Sequence, residues 1–189
     1  MSDYVEMLNF CATPNGTQRS SYSWNVDSRQ EESGKWSYMA RENNNGQGTF
    51  TFKMGVTKLN VGDVLVCIYS CDNPALLTVP INASRPRISA TNHLGGAVIT
   101  DRIGWVAGSV VATTGSNELW IERDCGWVTL EGAAAFSQED WEHVRSLYDH
   151  GRLSYPWFDG DTYPRSGGGG LSLLAAYPHA LPSRLVVAA

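Results

Sequence analysis

The chain has 189 residues, of which 42% are hydrophobic and 17% charged, and its formal net charge at pH 7 is −5. This length and apolar content allow one domain with a substantial core, and they argue against a disordered chain. Lys and Arg are not clustered, which argues against direct contact with nucleic acid, and no apolar run reaches the roughly 20 residues that span a bilayer. The first residues include no basic or apolar segment, so we predict no signal peptide and, by default, a cytoplasmic location.

Strand-like segments separated by polar turns fill the first half of the chain. Apolar and polar residues alternate over 22–27 and 49–54, a period of two that predicts half-buried strands. The run 64–69 is apolar at almost every position, which is typical of a strand covered on both faces. A turn sequence at 60–63 predicts that 49–54 and 64–69 form a hairpin, and 75–81 is a further strand candidate.

The same pattern continues to residue 130. We predict strands at 97–103 and 105–112, with Gly104 as a bend or bulge between them. Segments 119–122 and 127–130 predict a last hairpin. Short strands at this spacing are typical of a sandwich or barrel, so the predicted fold is an all-β antiparallel sandwich.

One helix is predicted, over residues 138–150. Ser137 is a suitable N-cap, and Phe136 and Trp141 occupy the two positions of a hydrophobic staple. His150 and Gly151 follow in the order expected at a helix end. We therefore expect a body of residues 1–151, followed by an extended C-terminal tail, 152–189, that packs on the body or on a neighbouring subunit.

Metal and nucleophile signatures are sparse. No paired histidines and no C-x-x-C spacing occur, so no cofactor is predicted. Asp159 and Asp161 offer two carboxylates to Ca²⁺, or else form a plain acidic turn. The four cysteines are expected to be reduced and buried. A hydrolase would need Ser or Cys beside His93 or His179.

Aromatic residues in the tail point to a different kind of site. Trp157 follows a proline in an extended segment, where its ring can be exposed, and Tyr155 and Tyr163 lie nearby in the sequence. Exposed Trp and Tyr rings stack well on the apolar face of a sugar. These three residues are the predicted ligand-binding set, with surface glycans as the ligand.

The whole succession of strands resembles the jelly-roll coat-protein domain of small icosahedral, picornavirus-like RNA viruses. The resemblance is architectural and covers most of the chain, and it rests on the segments 22–27, 49–54, 64–69, 97–103, 105–112, 119–122 and 127–130 with the tail 151–189. Many such coats carry a basic N-terminal arm for RNA, which is not seen here, so the resemblance implies a picornavirus-like subunit or a capsid protrusion. It implies a non-enzymatic structural role in a virion, in contact with copies of itself or other capsid subunits through edge strands and the tail. The alternative is a carbohydrate-binding, lectin-like β-sandwich module.

Overall fold

The computed structural model describes residues 4–12, 14–16, 19–20, 22–43, 46–56, 59–73, 87–88, 91–113, 118–121, 126–159, 173–177 and 183–188. Within these ranges the chain forms fifteen strands and one helix, α1 (Gln138–Asp149). The strands are β1 (Tyr4–Asn9), β2 (Tyr22–Trp24), β3 (Val26–Gln30), β4 (Trp36–Ala40), β5 (Glu42–Asn43), β6 (Gly46–Gln47), β7 (Thr49–Lys53), β8 (Val64–Cys71), β9 (Arg87–Ile88), β10 (Thr91–Val98), β11 (Ile103–Val110), β12 (Glu118–Ile121), β13 (Val128–Phe136), β14 (Leu173–Tyr177) and β15 (Ser183–Ala188).

Two antiparallel sheets face each other across an apolar core. The larger has six strands in the order β10-β11-β8-β13-β4-β3, and the smaller has four in the order β2-β7-β12-β9. Phe50 and Phe52 of the small sheet pack against Leu65, Tyr69 and Val128 of the large one. Burial of each such side chain stabilises the fold by about 1.5–3 kcal/mol. The predicted all-β antiparallel sandwich with one late helix is confirmed.

A third layer covers part of the other face of the large sheet. It consists of α1, the sheet β1-β15-β14 and the segment 153–158. Val66 and Trp105 of the large sheet pack there against Val144 of α1 and Leu185 of β15. The apolar run of β8 is therefore buried on both faces, as its sequence predicted. Because β15 pairs with β1 along its whole length, this segment of the predicted tail is built into the fold.

The helix begins as its sequence predicted. The Ser137 hydroxyl oxygen accepts a hydrogen bond of 3.1 Å from the backbone N–H of Asp140, and the Phe136 and Trp141 rings stack with their centroids 6.4 Å apart. The helix ends at Asp149, one residue before the predicted end, with His150 as the C-cap. No helix in the described part of the chain is long and apolar enough to cross a lipid bilayer.

Both predicted hairpins are wrong. β7 pairs with β2 and β12 in the small sheet, whereas β8 pairs with β11 and β13 in the large one. The strands β12 and β13 are likewise divided between the two sheets. In each case the connection carries the chain from one sheet to the other. Alternation along a strand does not show whether the next strand lies in the same sheet or in the facing one.

The predicted bend at Gly104 is also wrong. The β10–β11 turn precedes it, and there the Thr100 hydroxyl accepts hydrogen bonds from the backbone N–H groups of Arg102 and Ile103 at 3.2 and 3.0 Å. Gly104 lies within β11, where a Cβ would come within 2.7 Å of the Tyr69 hydroxyl oxygen. Glycine is needed at this position because a neighbouring ring packs against the strand. The strand candidate 75–81 lies outside the described residues.

Candidate functional site

A pocket opens on the face of the large sheet that α1 and the segment 153–158 partly cover. It lies where the apolar contacts with this third layer end and polar side chains of the sheet begin. Its volume is about 220 Å³. We call it the Trp157 pocket, and it is lined by Lys35, Ile68, Ile103, Glu131, Gly132, Tyr155 and Trp157. Strands β8, β11 and β13 form its floor, and the segment after α1 forms one wall.

A β-bulge in β13 positions the carboxylate of the pocket. Leu130 lies opposite Tyr69 and Gly132 lies opposite Ile68, so Glu131 is the extra residue between two paired positions. The Ser70 hydroxyl donates a hydrogen bond of 2.6 Å to Glu131 Oε1. Bulges commonly re-aim a side chain next to a functional site. Here the bulge brings the Glu131 carboxylate into the pocket.

Lys35 completes an ion pair with this carboxylate. Its Nζ donates to Glu131 Oε2 at 2.6 Å and to the Glu131 carbonyl oxygen at 3.0 Å. The two side chains are 21% and 32% exposed. Partial burial reduces screening by water, so the pair holds both groups in place more firmly than a fully exposed pair would.

The indole ring of Trp157 lies directly on Gly132. A Cβ at residue 132 would come within 2.9 Å of ring atoms Cε2 and Nε1. The ring N–H donates to the carbonyl oxygens of Pro14 at 2.8 Å and Ala133 at 3.1 Å. The ring is therefore fixed in place, and its N–H is already occupied within the protein.

Asn9 ties together the segments that hold this ring. The side chain is fully buried. Its amide donates to the carbonyl oxygens of Phe158 at 2.7 Å and Ala133 at 3.3 Å. Its oxygen accepts from the backbone N–H groups of Cys11 and Ala135, both at 3.0 Å. All four hydrogen-bonding positions of the side chain are used, and they join β1, β13 and the segment that carries Trp157.

The structure brings together two of the predicted ligand-binding residues. Trp157 and Tyr155 line the same pocket, while Tyr163 lies outside the described residues. For the predicted Ca²⁺ site, Asp159 is half-buried and Asp161 lies outside the described residues. Within the described ranges no group of three or more His, Cys, Asp or Glu side chains could hold a metal ion. The Ca²⁺ site therefore stays a prediction.

Sequence reasoning missed Lys35, Glu131 and Gly132. One signal for the bulge was present, because the residues of β13 that face the sandwich core change phase there, with Leu130 followed by Ala133. Alanines are weak markers of burial, so this change is hard to recognise from sequence. No local signal links Lys35 with Glu131, which are 96 residues apart.

The described cysteines and histidines do not form a nucleophile–base pair. Cys67 and Cys71 are buried free thiols, and Cys11 is buried as well. Burial raises the pKa of Cys71 to about 11 and raises the pKa of Cys67 as well, so these groups stay protonated at neutral pH. His150 lies at the exposed end of α1, where its Nδ1 is 2.8 Å from the Ser146 carbonyl oxygen. Cys125 and His179 lie outside the described residues.

The pocket thus combines an immobilised aromatic ring, aliphatic walls and one half-buried ion pair. Such a lining suits reversible binding of a small molecule with one apolar face and a few polar groups. Glycoside hydrolysis normally uses two carboxyl groups on either side of the bond, and Glu131 is the one carboxylate among the described residues of the lining. No family model, no curated protein and no solved structure matches this chain.

Proposed function

We propose that the chain is a non-enzymatic structural subunit of the jelly-roll type that forms viral capsids or capsid protrusions, with the virion as its location. The observation that carries this proposal is the distribution of strands between the facing sheets. Along the chain, β4, β8, β11 and β13 lie in the large sheet, and the intervening β7, β9 and β12 lie in the small one. Repeated crossing between two facing sheets is a feature that jelly rolls share with other Greek-key sandwiches. The step from this fold to a coat protein is an analogy, because one fold supports many functions.

One edge of the large sheet supports assembly with further copies. Natural monomers usually protect exposed edges with charged residues. The edge strand β3 carries Asp27 and Arg29, in keeping with that rule. The opposite edge strand β10 instead exposes Leu94 and Val98, at 46% and 44%. We therefore place the contact with a second copy at β10. The end of the predicted tail contributes less, because β15 is already paired with β1.

The native mass of the purified chain tests this proposal. We expect light scattering and negative-stain microscopy to show a defined oligomer or closed particles. The double change Leu94→Lys and Val98→Lys should convert these species to monomer, because two charges would be placed at the contact. Ser28→Lys on the β3 edge adds a charge away from the contact and should leave assembly unchanged. A monodisperse monomer at every concentration would contradict the proposal.

A second candidate function is carbohydrate binding, and the Trp157 pocket favours it. Trp157 and Tyr155 line one pocket together with the Glu131–Lys35 ion pair, an arrangement that provides both a stacking surface and groups for hydroxyl recognition. A capsid subunit and a glycan-binding protein are compatible roles, since a coat can also bind a cell surface. A glycan array probed with the labelled chain tests this function, and the absence of signal above background would remove it.

A further inference from the structure

We infer that the Trp157 pocket takes a single uncharged sugar ring at the end of a glycan and recognises two adjacent hydroxyl groups through Lys35 and Glu131. This inference rests on the carbohydrate-binding function proposed above and specifies its ligand. Four properties of the pocket each restrict the ligand independently: its size, its apolar surface, its hydrogen-bonding groups and its charge.

The size of the pocket limits the ligand to one ring. Pockets for drug-sized ligands usually enclose about 300–1,000 Å³, whereas the Trp157 pocket encloses about 220 Å³. A chain of sugars would need an extended groove along the sheet. A pocket of this volume instead accepts the terminal ring and leaves the remainder of a glycan in solvent.

The apolar part of the pocket suits the C–H face of a sugar ring. Because the Trp157 N–H is bonded to Pro14 and Ala133, the ring offers a ligand only its carbon surface. Ile68 and Ile103 supply further apolar lining. The C–H groups on one face of a pyranose pack against such a surface, while its hydroxyl groups project outward from the ring.

The polar part of the pocket suits a pair of adjacent hydroxyl groups. The Lys35 ammonium has three N–H donors, and its two hydrogen bonds within the described part of the chain are both with Glu131. From the described residues, each Glu131 carboxylate oxygen accepts one hydrogen bond, which Ser70 donates to Oε1 and Lys35 donates to Oε2. Each oxygen retains a further lone pair. A donor and an acceptor thus lie side by side, and two adjacent hydroxyls match them because each hydroxyl can both donate and accept.

The charge of the pocket favours an uncharged sugar. Lys35 and Glu131 neutralise each other at 2.6 Å, so the lining has no excess positive charge to balance a sugar carboxylate. For an acidic sugar, attraction to Lys35 is offset by repulsion from Glu131, and for an amino sugar the two effects are exchanged. Either would also lose hydration that the pocket does not replace.

Isothermal titration of the full chain with monosaccharides tests this inference. The probes are a panel of neutral hexoses, glucuronic acid, and the monodeoxy derivatives of the neutral hexose that binds best. We expect one or more neutral hexoses to bind and glucuronic acid not to bind. Removal of either of two neighbouring hydroxyls should weaken binding by about tenfold, as expected for a lost hydrogen bond to a charged group.

Three variants connect binding to the pocket. Gly132→Ala should abolish binding because its Cβ displaces the Trp157 ring, and Glu131→Gln should weaken binding by about tenfold without adding bulk. Gly55→Ala is the matched control, since the nearest atom to its Cβ would be the Ala12 Cβ at 3.6 Å. Circular dichroism establishes that each variant is folded, and Glu131→Gln remains decisive if Gly132→Ala does not fold.

The outcomes separate this inference from the function on which it rests. Binding of oligosaccharides without monosaccharides, preference for acidic sugars, or full binding by Glu131→Gln would overturn the inference and leave carbohydrate binding intact. Failure of every sugar, both on the array and in titration, would overturn both.

Discussion

The two faces of the six-stranded sheet are closed in different ways. One face, which we call the sandwich face, packs against a second sheet, and its side chains form a continuous apolar core with residues such as Phe52. The other, which we call the covered face, packs against α1, the three-stranded sheet β1-β15-β14 and the irregular segment 153–158. Beyond this cover it carries polar side chains that include Ser37, Thr129 and Glu131.

This difference explains where a site can form. Two sheets with matched apolar faces fill the space between them at high density and leave little room for a ligand. The cover on the other face combines a helix, a sheet and an irregular segment, so its border is irregular. The Trp157 pocket lies at that border. The sandwich face is held by apolar burial, whereas the border of the covered face also depends on hydrogen bonds to main-chain groups from Asn9 and Trp157.

The largest expected effect comes from a matched pair of fully buried phenylalanines. We expect Phe52→Ala on the sandwich face to lower the free energy of unfolding by about 5 kcal/mol, and Phe158→Ala on the covered face by about 3 kcal/mol. The cavity between two sheets cannot close, whereas the segment that carries Phe158 can relax into the space. Urea denaturation measures both values. Equal losses would show that the cover is as rigid as the sandwich, and a larger loss for Phe158→Ala would reverse the comparison.

Removal of the Asn9 side chain tests the polar anchoring of the cover. Asn9→Ala leaves buried N–H and carbonyl groups unpaired, so we expect the free energy of unfolding to fall by about 3 kcal/mol. Asn92→Ala, at an exposed position of β10, should change it by less than about 0.5 kcal/mol. Urea denaturation compares the two variants. If Asn9→Ala is as mild as Asn92→Ala, apolar burial alone holds the cover in place.

Structural features that depend on residues close together in the sequence could be predicted. The start of α1 depends on Ser137, Phe136 and Trp141, which lie within six consecutive residues, and the structure confirms the cap and the ring contact. The burial of β8 on both faces follows from its own composition. In each case the physical cause is local, so a single segment of sequence contains it.

Features that depend on which strands are neighbours could not be predicted. Alternation shows which face of a strand is buried, but it does not show which strand lies beside it. The sequence pattern therefore predicts hairpins at two places where the chain crosses between sheets. The same reason explains the site. Trp157 and Tyr155 could be singled out as aromatic residues of an extended segment, although the structure half-buries both rings. Lys35 and Glu131 meet only because β4 and β13 are adjacent.

A smaller effect on stability is expected from removing the N-cap of α1. This change tests how much a local hydrogen bond within the cover contributes to the free energy of unfolding. Ser137→Ala removes the hydrogen bond to the Asp140 N–H, so we expect the free energy of unfolding to fall by about 1 kcal/mol. Ser146→Ala, at an exposed position within the same helix, should cause no loss because alanine has the higher helix propensity. Thermal or urea denaturation compares the two. Equal stability of the two variants would show that tertiary packing alone fixes the start of α1.

The smallest effect is a pH dependence in the polar half of the covered face. Hydrogen bonds from Ser37 and then from Arg29 hold the pKa of Glu31 below its usual value of 4.5. A carboxyl whose pKa is lowered by folding stabilises the protein above that usual value, and this contribution is lost as the pH falls through the lowered pKa. Glu31→Gln lacks the contribution at every pH. We therefore expect this variant to be less stable than the parent protein at pH 7, with a difference that shrinks below pH 4.5.

Urea denaturation of both proteins between pH 7 and about pH 3 measures this difference. Asp140, whose pKa is raised chiefly by burial, titrates in both proteins and therefore cancels in the comparison. Glu32→Gln is the control, because it removes the same charge at an exposed neighbouring position. A difference for Glu31→Gln that stays constant over the whole range would show that Glu31 acts through packing and not through its charge. The polar half of the covered face would then resemble the sandwich face in how it is stabilised.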